Sequence, residues 1–481
     1  MNTAHLPLVV DLDGTLTPTD TLLESVVLRI KGSPSTLLQL PWWLLRGKAG
    51  FKQAISSGVT LDPEKLPYNA PLLEYLHAQK ATGRTIVLAT AAHHSIAQKV
   101  SEHLGLFDKV LATDGANNLK GEAKLKSIQD NAGQDFVYAG DCKADLPIWD
   151  QAKAAILVGV PEDLASQVRH KTPIEREFPR PNGGLPVWAR ALRVHQWVKN
   201  LLLFVPVLTT FEFFDVHKLA HMLMAFMAFS LAASATYIVN DLWDLGSDRV
   251  HPRKRTRPFA SGALSILHGV LVAAAALMAA LALASAVSGA FLLMLLAYLV
   301  LTSAYSWVIK EYVLLDVLML SLLYTIRILA GSVAFGVATS SWLLAFSAFV
   351  FLSLALVKRC AELVSLKESG AGATRGRDYR VGDLVVLWPL GVGAALCAVV
   401  VFGLFISAPE TQARYATPQM LWLVAIGLVY WMARLWIKTS RGEMHDDPVV
   451  YALKNRGSRL TVLAMVAAVL AAHFMSLELH P

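Results

Sequence analysis

Two carboxylates separated by one residue follow the first hydrophobic run of this 481-residue chain. The run 6–10 leads directly into Asp11, Leu12, Asp13 and Gly14. Two acids this close to a strand end cannot both face a core, and glycine permits a sharp turn there. One carboxylate could attack a phosphorus atom while the other protonates the leaving group, with Mg²⁺ neutralising the cluster. A merely polar strand end would be the simpler interpretation if the pair stood alone.

Three further groups suited to phosphate chemistry follow in order. Thr90 ends the next apolar run, where its hydroxyl and the start of a helix could hold a phosphate. Lys124 offers a basic group that could cancel phosphoryl charge. Asp141 and Asp145 follow a third apolar run. Because each group lies near a predicted strand end or helix start, the set predicts a phosphoryl-transfer site.

A second acidic constellation lies in the rear section of the chain. Asp241, Asp244 and Asp248 are spaced so that a continuing helix would carry all three on one stripe. Stacked acids at a membrane helix end are costly unless a cation joins them, and Mg²⁺ suits an all-oxygen set. The basic run 249–258 follows at once and includes Lys254 and Arg257. Acids that could bind metal, followed at once by bases that could bind phosphate, predict a diphosphate site. The alternative is an exposed helix end that happens to be acidic.

The elements that must position the first site alternate in type. Short β-rich runs alternate with helical patterns at 95–104 and 124–131, which indicates an α/β doubly wound fold with ligands at the strand carboxyl ends. A mostly helical insert over 17–70 interrupts the alternation. We predict a domain over 1–172 and a Pro- and Gly-rich linker over 173–187. The predicted strands are 6–12, 85–90, 109–112, 136–139 and 154–158.

The rear section, 188–481, has the composition of a membrane domain. The whole chain is 55% hydrophobic and only 16% charged, which excludes an ordinary soluble protein. Apolar runs near the ~20 residues that a bilayer core requires predict an all-α polytopic bundle of about nine transmembrane helices. The predicted spans are 198–214, 222–242, 267–287, 290–309, 313–335, 342–360, 384–407, 418–438 and 459–477.

The distribution of charge predicts orientation and partners. Residues 1–187 hold 19 Lys and Arg against 20 Asp and Glu, whereas residues 188–481 hold 24 against 16. The excess bases fall in alternate loops, so we expect a multi-pass inner (plasma) membrane protein with its N-terminal domain cytoplasmic and its C-terminus opposite. We expect these bases to set the orientation of the protein and to bind membrane lipids and phosphate groups. Nucleic acid is not an expected partner.

The front motif set resembles the haloacid dehalogenase (HAD) superfamily of phosphohydrolases over roughly residues 5–165. That resemblance implies that Asp11 is the nucleophile and that Asp13 is the acid/base and a Mg²⁺ ligand. It implies that Thr90 and Lys124 hold the phosphoryl group, that Asp141 ligates Mg²⁺ and that Asp145 supports the site. The helical insert would form a cap over the cleft.

The stretch YIVNDLWDLGSDRVHPRKRTRPFASG, which includes Asn240, looks like the first aspartate-rich motif of the UbiA-type membrane prenyltransferase superfamily. Quinone- and haem-type members carry two aspartates four apart in a second motif, whereas YSWVIKEYVLLDV offers Tyr305, Lys310 and a single Asp316. Together with RALRVHQWVKNLLLFVP, RILAG and KRCAEL, this pattern resembles the decaprenyl-phosphate phosphoribosyltransferase branch.

The branch resemblance implies phosphoribosyl diphosphate and a polyprenyl phosphate as substrates. Such a donor carries phosphate at two places, and a later loop supplies a second group of bases with one tyrosine. We expect metal on the three aspartates, and substrate contacts from Asn240, Lys254, Arg257, Tyr305, Lys310, Asp316, Lys358, Arg359, Arg377 and Tyr379, with Arg375 and Arg380 nearby.

These resemblances favour a bifunctional membrane enzyme. Its rear domain would transfer 5-phosphoribosyl to a polyprenyl phosphate, and its front domain would be a phosphohydrolase that removes the 5-phosphate of the product. One alternative is a prenyltransferase that uses a prenyl diphosphate and an aromatic or tetrapyrrole acceptor. Another is a membrane scaffold with a phosphate-sensing front domain, against which the intact set of acids argues.

Overall fold

A computed structural model describes the chain over residues 3, 5–45, 47–56, 58–114, 119–179, 183–211, 215–368, 370, 377–444 and 447–476. The chain divides into two compact units. Unit 1 comprises Met1–Leu192 and Tyr237–Ala274, and unit 2 comprises Arg193–Thr236 and Ala275–Pro481. The aspartate-rich segment, which the sequence analysis assigns to the rear domain, therefore clusters with the front residues.

Unit 1 is built around a six-stranded parallel sheet in the order β3-β2-β1-β4-β5-β6. Successive residues of β1 point to opposite faces, so Leu8 and Val10 enter one apolar layer and Val9 enters the other. Helices cover both faces, which confirms the doubly wound fold. The strands are β1 Leu8–Val10, β2 Ile86–His93, β3 Lys109–Thr113, β4 Val137–Gly140, β5 Ala154–Val158 and β6 Ile174–Phe178.

Helices α1 to α3 form the predicted insert between β1 and β2. The Asp20 side chain accepts hydrogen bonds from the backbone N–H groups of Leu22 and Leu23, which fixes the start of α1. The first nine helices are α1 Thr21–Gly32, α2 Thr36–Leu45, α3 Gly47–Ser56, α4 Ala70–Ala81, α5 His94–Leu104, α6 Glu122–Ala132, α7 Leu146–Trp149, α8 Glu162–Lys171 and α9 Leu185–Ala191.

The stretch predicted as a linker, 173–187, contains regular structure, which corrects that prediction. Its residues Ile174–Phe178 form edge strand β6, and α9 begins at Leu185. The charges that resemble a solvated linker are partnered, since Arg84 Nη1 lies 2.6 Å from Glu175 Oε1. Residues 180–182 of the predicted linker lie outside the described residues.

Eight helices in the described part of the chain are long and apolar enough to span a membrane: α11, α13 to α17, α19 and α21. The first predicted span, 198–214, is not among them. It begins within a 3₁₀ helix, Val194–Phe204, and continues into the short α10. The remaining helices are α10 Val205–Thr210, α11 Val216–Trp243, α12 Leu245–Val250, α13 Ile266–Val287, α14 Gly289–Trp307, α15 Leu315–Phe335, α16 Ser341–Glu368, α17 Leu384–Ser407, α18 Pro409–Arg414, α19 Leu421–Ser440, α20 Pro448–Lys454 and α21 Arg456–Phe474.

The long helices show the surface expected of a lipid-facing bundle. Large apolar side chains such as Leu293 and Val300 on α14 are about two-thirds exposed. On the inner side, Phe229 and Phe291 are fully buried with their ring centroids 5.7 Å apart. An apolar exterior of this kind is stable in lipid, so the chain is a multi-pass membrane protein.

Candidate functional site

The first candidate site lies at the carboxyl ends of β1, β2 and β4, which are neighbours in the sheet. Asp11 follows β1, Thr90 lies in β2 and Asp141 follows β4. The Asp11 backbone N–H donates to Ala139 O at 3.0 Å, so the two strand ends are joined directly. The sheet order therefore brings together residues 130 positions apart in sequence.

Lys124 connects the acids of this site. Its ammonium nitrogen lies 2.8 Å from Asp11 Oδ2 and 2.8 Å from the hydroxyl oxygen of Tyr138. Tyr138 in turn donates to Asp145 Oδ1 at 2.8 Å. Sequence reasoning missed Tyr138, because a tyrosine inside an apolar strand resembles an ordinary core residue. Here it orders Lys124 and Asp145 as one network.

Burial shifts the proton affinity of the acids. Desolvation raises the pKa of Asp11 to about 6, although Lys124 opposes the rise. Desolvation and the nearby Asp20 raise the pKa of Asp13 to about 7. Burial lowers the pKa of Lys124, but the Asp11 and Asp145 carboxylates outweigh it and leave the value raised. Asp11 and Asp13 therefore hold a proton more tightly than exposed aspartates do.

The residues around Gly14 fit a Mg²⁺ ion. Gly14 has φ of +81°, and a Cβ at this position would collide with the Asp141 carboxylate. That carboxylate therefore lies against the turn that carries Asp11 and Asp13 and supplies a third set of oxygens. Asp145 is occupied by Tyr138 and by the backbone N–H groups of Asp141 and Cys142, so it fits a supporting role.

Thr90 is fully buried at the end of the same cleft. Its hydroxyl oxygen accepts a hydrogen bond from the Ala92 backbone N–H at 3.0 Å. The strand continues to His93, and α5 begins at His94. The hydrogen bond from the Ala92 N–H orients the Thr90 hydroxyl. A phosphate contact from Thr90 stays a prediction.

The second candidate site, also in unit 1, is a cluster of carboxylates and bases. Arg257 Nη1 lies 3.1 Å from Asp241 Oδ1 and 2.6 Å from Asp248 Oδ2. Lys254 Nζ lies 3.6 Å from Asp248 Oδ1. The side chains of Asp241 and Asp248 are 4% and 1% exposed. The predicted acids and bases are therefore together, with Arg257 bonded to the acids.

The expected uninterrupted helical stripe is corrected by a break at Asp244. Helix α11 ends at Trp243 and α12 begins at Leu245, with Asp244 at φ −93° and ψ 8° between them. The Asp244 N–H still donates to Asn240 O at 3.0 Å, so the break is local. The half-buried Asp244 and Asn240 lie at this joint, which separates Asp241 from Asp248.

The second cluster also fits a divalent cation. Asp248 Oδ1 is buried and has no hydrogen-bond partner, while Arg257 supplies positive charge between the two carboxylates. Lys254 Nζ lies 3.6 Å from this oxygen, beyond hydrogen-bond distance, so a cation that approached it more closely would stabilise it. Carboxylate oxygens are suitable ligands for Mg²⁺, and the neighbouring bases are suitable for binding a diphosphate.

Unit 2 contains a buried cluster formed by three predicted substrate residues. Arg359 Nη2 lies 2.9 Å from Asp316 Oδ2, and the Tyr379 hydroxyl donates to Asp316 Oδ1 at 2.5 Å. The side chains of Arg359 and Asp316 are fully buried. Full burial favours a role in positioning helices α15 and α16, and direct substrate contact from these residues stays a prediction.

More accessible bases lie near this cluster within unit 2. Arg377 Nη1 lies 3.2 Å from Glu362 Oε2, and the Asp378 N–H donates to Glu311 O at 3.1 Å. The loop that carries Arg377 is thereby joined to the turn that carries Lys310. Tyr305 lies in the last turn of α14 and is half-buried, whereas Arg375 lies outside the described residues.

Asp447 is a unit 2 residue to which sequence reasoning gave no role. Its Oδ2 lies 2.8 Å from Lys199 Nζ and 3.6 Å from Lys358 Nζ. The segment His445–Ser458 thus supplies a carboxylate that holds two lysines, although His445 and Asp446 lie outside the described residues. The only sequence signal is an acid beside an apolar helix.

Comparison with known families decides the class of the chain. Residues 202–455 match the UbiA prenyltransferase family. The chain belongs to the UbiA prenyltransferase family. Residues 8–150 match the haloacid dehalogenase-like hydrolase family, so an HAD-like domain precedes the UbiA domain, as the motifs predict. The chain is a transferase that carries a phosphatase-like domain.

Individual proteins show similarity over different parts of the chain. An uncharacterised protein of Sinorhizobium fredii, y4nM, is 38% identical over 461 residues, which cover 94% of this chain and 88% of that protein. The decaprenyl-phosphate phosphoribosyltransferase of Mycobacterium tuberculosis is 32% identical over 290 residues, which cover 59% of this chain and 93% of that enzyme. A UbiA homologue from Archaeoglobus fulgidus, solved with GPP and Mg²⁺, has a TM-score of 0.45 at 16% identity, with 60% of this chain and 99% of that chain covered.

Proposed function

We propose that this chain transfers 5-phosphoribosyl from phosphoribosyl diphosphate to a polyprenyl phosphate and that its HAD-like domain removes the 5-phosphate of the product. The observation that carries the choice of substrates is the 32% identity to the mycobacterial phosphoribosyltransferase over 93% of that enzyme. The fusion supports the second step, because the product of the first would carry a phosphate monoester that the second could hydrolyse.

In the transfer step, the residues bind charge and orient two substrates. Asp241, Asp244 and Asp248 would hold Mg²⁺, which would supply positive charge for the leaving diphosphate. Arg257 and Lys254 lie beside the carboxylates, which supports a role for them in binding diphosphate oxygens. The lipid phosphate oxygen forms a bond to ribose C1 as the bond from C1 to the diphosphate breaks. Positioning and charge stabilisation account for catalysis without a covalent enzyme intermediate.

The family resemblance makes Lys358 and Arg377 candidates for the 5-phosphate of the donor. Lys358 is one-third exposed, and its nitrogen lies 3.6 Å from the Asp447 carboxylate. Arg377 is 27% exposed beside Glu362. Half-buried bases beside carboxylates can exchange a partner for a phosphate, whereas the fully buried Arg359 cannot do so without unpacking.

In the hydrolytic step, the HAD-like domain would use its strand-end acids. Asp11 attacks the phosphorus of the 5-phosphate and forms an aspartyl phosphate, and Asp13 donates a proton to the departing ribose oxygen. Lys124, held by Tyr138, offsets phosphoryl charge beside Asp11. Water then attacks the aspartyl phosphate, with Asp13 as the base, and releases phosphate.

We also propose that the HAD-like domain and the aspartate-rich segment face the cytoplasm at the inner membrane. Their presence in one compact unit supports a common side. The basic loops support the cytoplasmic choice through the positive-inside rule. The phosphate group made by the first step would then be on the side of the phosphatase.

Exchange of donors tests this proposal. Purified full-length protein in lipid should release diphosphate from phosphoribosyl diphosphate when a polyprenyl phosphate is present. Asp215→Asn, which changes an exposed acid at the other end of α11, should retain this activity. Turnover of a prenyl diphosphate with an aromatic acceptor, without any from phosphoribosyl diphosphate, would contradict the proposal and identify an aromatic-type prenyltransferase.

A further inference from the structure

Within unit 1, a charged pair joins the helical insert of the HAD-like domain to the aspartate-rich segment. Arg249 Nη2 donates to Glu24 Oε1 at 2.6 Å, and Arg249 Nη1 donates to Glu24 Oε2 at 3.1 Å. The two side chains are 8% and 6% exposed. Two parallel hydrogen bonds between a guanidinium and a carboxylate fix the relative orientation of the groups as well as their distance.

Further bonds hold both members of the pair. Thr19 donates its hydroxyl to Glu24 Oε1 at 2.7 Å. Arg249 Nε donates to Ala260 O at 3.0 Å, and Nη1 also reaches Lys65 O at 3.2 Å. One arginine thus contacts α1, the later part of the insert at Lys65, and Ala260 just beyond the basic run 249–258. Such a satisfied buried pair specifies a single arrangement more than it adds stability.

Two other contacts lie on the same surface. Lys31 Nζ donates to Trp243 O at 3.1 Å, which satisfies a carbonyl at the end of α11. Gly262 has φ of +73°, and a Cβ there would strike the Pro18 ring. The segment 243–262 therefore contacts the insert near its beginning at Trp243, at Arg249, and near its end at Gly262.

The Glu24–Arg249 pair is connected to both carboxylate sites through neighbouring residues. Helix α1 begins with the Thr21 N–H donating to Asp13 Oδ1 at 2.8 Å, and Glu24 lies on the first turn of the same helix. Arg249 directly follows Asp248 in α12. A rotation of α12 large enough to break the Arg249 bonds would displace the buried Asp248 carboxylate.

We propose that Glu24, a residue of the phosphatase-like domain, is a positioning residue for the transfer site. Its carboxylate holds Arg249 and thereby holds α12, so that Asp248 and Asp241 keep the separation that Arg257 bridges. This inference rests on the proposed assignment of Asp241 and Asp248 to the transfer site. The HAD-like domain then contributes to the first reaction as well as the second, and the fusion has a structural reason beyond proximity.

The test combines kinetics with hydrogen exchange on the full-length protein in lipid nanodiscs. Glu24→Gln should raise the half-saturating Mg²⁺ concentration and the KM for the donor about fivefold, with a smaller change in kcat. Backbone hydrogen exchange over 244–262 should become faster in the same variant without any substrate. Lys31→Met, at an exposed position, should also make exchange over 244–262 faster, but by less than Glu24→Gln does.

A matched control comes from the surface of the same domain. Glu177 forms an equivalent two-bond pair with Arg169, and both side chains are more than one-third exposed. Glu177→Gln should leave exchange over 244–262 and the donor KM unchanged. A double-mutant cycle of Glu24→Gln with Arg249→Gln should show that the two changes are not additive.

Two results would overturn the inference. The first is unchanged exchange over 244–262 and an unchanged donor KM in Glu24→Gln. The second is a loss of activity that Glu177→Gln reproduces, which would show a general effect on the domain. The exchange measurement uses no donor, so it can succeed where the proposed substrates fail. Faster exchange in Glu24→Gln, together with no turnover of phosphoribosyl diphosphate by the unmodified protein, would refute the substrates and support the positioning role.

Discussion

Arg257 Nη1 lies 2.6 Å from Asp248 Oδ2, in a position where it compensates the charge of a carboxylate that is almost fully buried. The other oxygen of Asp248 has no hydrogen-bond partner, and the Lys254 ammonium lies 3.6 Å from it. A buried carboxylate that is only half satisfied is a costly arrangement in a structural ion pair. It is the arrangement expected of a group that completes its coordination when metal and diphosphate bind.

We therefore expect Asp248→Asn to lower the rate of transfer by roughly 100-fold. The amide keeps the shape of the side chain but removes the charge that would hold Mg²⁺, so the Mg²⁺ requirement should also rise. Steady-state diphosphate release over a range of Mg²⁺ concentrations measures both. The exposed Asp114→Asn in the HAD-like domain is the control, and a full rate in Asp248→Asn would exclude this residue from the site.

The HAD-like site predicts a different phenotype for Asp11→Asn. Loss of the proposed nucleophile should lower phosphate release from the lipid product by about 1,000-fold or more, and the phosphorylated product should accumulate. Phosphate release and thin-layer separation of the lipids measure this. The exposed Asp130→Asn on α6 should behave as the unmodified protein does. Undiminished phosphate release in Asp11→Asn would point to a contaminating phosphatase.

The accessible and buried bases of unit 2 should separate into two classes. Lys358→Met should raise the KM for phosphoribosyl diphosphate about tenfold while the protein still folds, because it would remove one of the proposed charged contacts to the donor. Removal of the partner of a fully buried charge is a larger perturbation. Asp316→Ala should therefore destabilise the bundle by roughly 1–3 kcal/mol, since Arg359 and Tyr379 would both lose a buried partner and Arg359 would keep its pair with Glu362.

Yield and thermal unfolding in detergent distinguish these two classes. Asp316→Ala should give less folded protein, and Lys358→Met should give a normal unfolding profile with altered kinetics. A normal unfolding profile together with a raised donor KM in Asp316→Ala would show instead that Asp316 contacts the substrate.

The Arg84–Glu175 pair predicts a pH-dependent stability for the edge of the sheet. Burial raises the pKa of Glu175, but the bonds from Arg84, Tyr75 and Thr3 outweigh it and hold the value below the usual 4.5. The folded protein thus binds the proton less tightly than the unfolded chain does. The stabilisation is present above pH 4.5 and is lost as the pH falls through the lowered value.

Glu175→Gln should remove that stabilisation, which we expect to be about 1–3 kcal/mol at neutral pH. Pulse proteolysis at pH 7 and at pH 4 measures the stability of the domain. The difference between the variant and the unmodified protein should shrink at the lower pH. Glu162→Gln, at an 81% exposed side chain, is the control, and an equal difference at both pH values would contradict the assignment.

Local sequence patterns were enough to predict the parallel sheet, because each strand of a doubly wound fold is a short apolar run between helices. They also placed Asp11, Thr90 and Asp141 together, since parallel strands end at one edge. The charged strand β6 escaped prediction because its side chains are neutralised by partners far away in sequence. The same reason hid the Glu24–Arg249 pair, whose members are 225 residues apart.

The number of membrane helices was predicted less well than their type. Composition identified the apolar segments, but it could not show that 194–204 forms a 3₁₀ helix before α10. The acid cluster at Asp241 was placed correctly next to Arg257, whereas the break at Asp244 was missed. A break of one residue leaves no periodic signal, since the spacing of the acids on either side is unchanged.

Mass spectrometry of the lipid product is the most direct test of the central claim. Purified full-length protein is incubated with Mg²⁺, phosphoribosyl diphosphate and a polyprenyl phosphate. We predict a lipid heavier than the acceptor by a pentosyl group, and heavier by a pentosyl phosphate when Asp11 is replaced by Asn. An unmodified polyprenyl phosphate in both reactions, with a prenylated aromatic product formed from a prenyl diphosphate instead, would contradict the account.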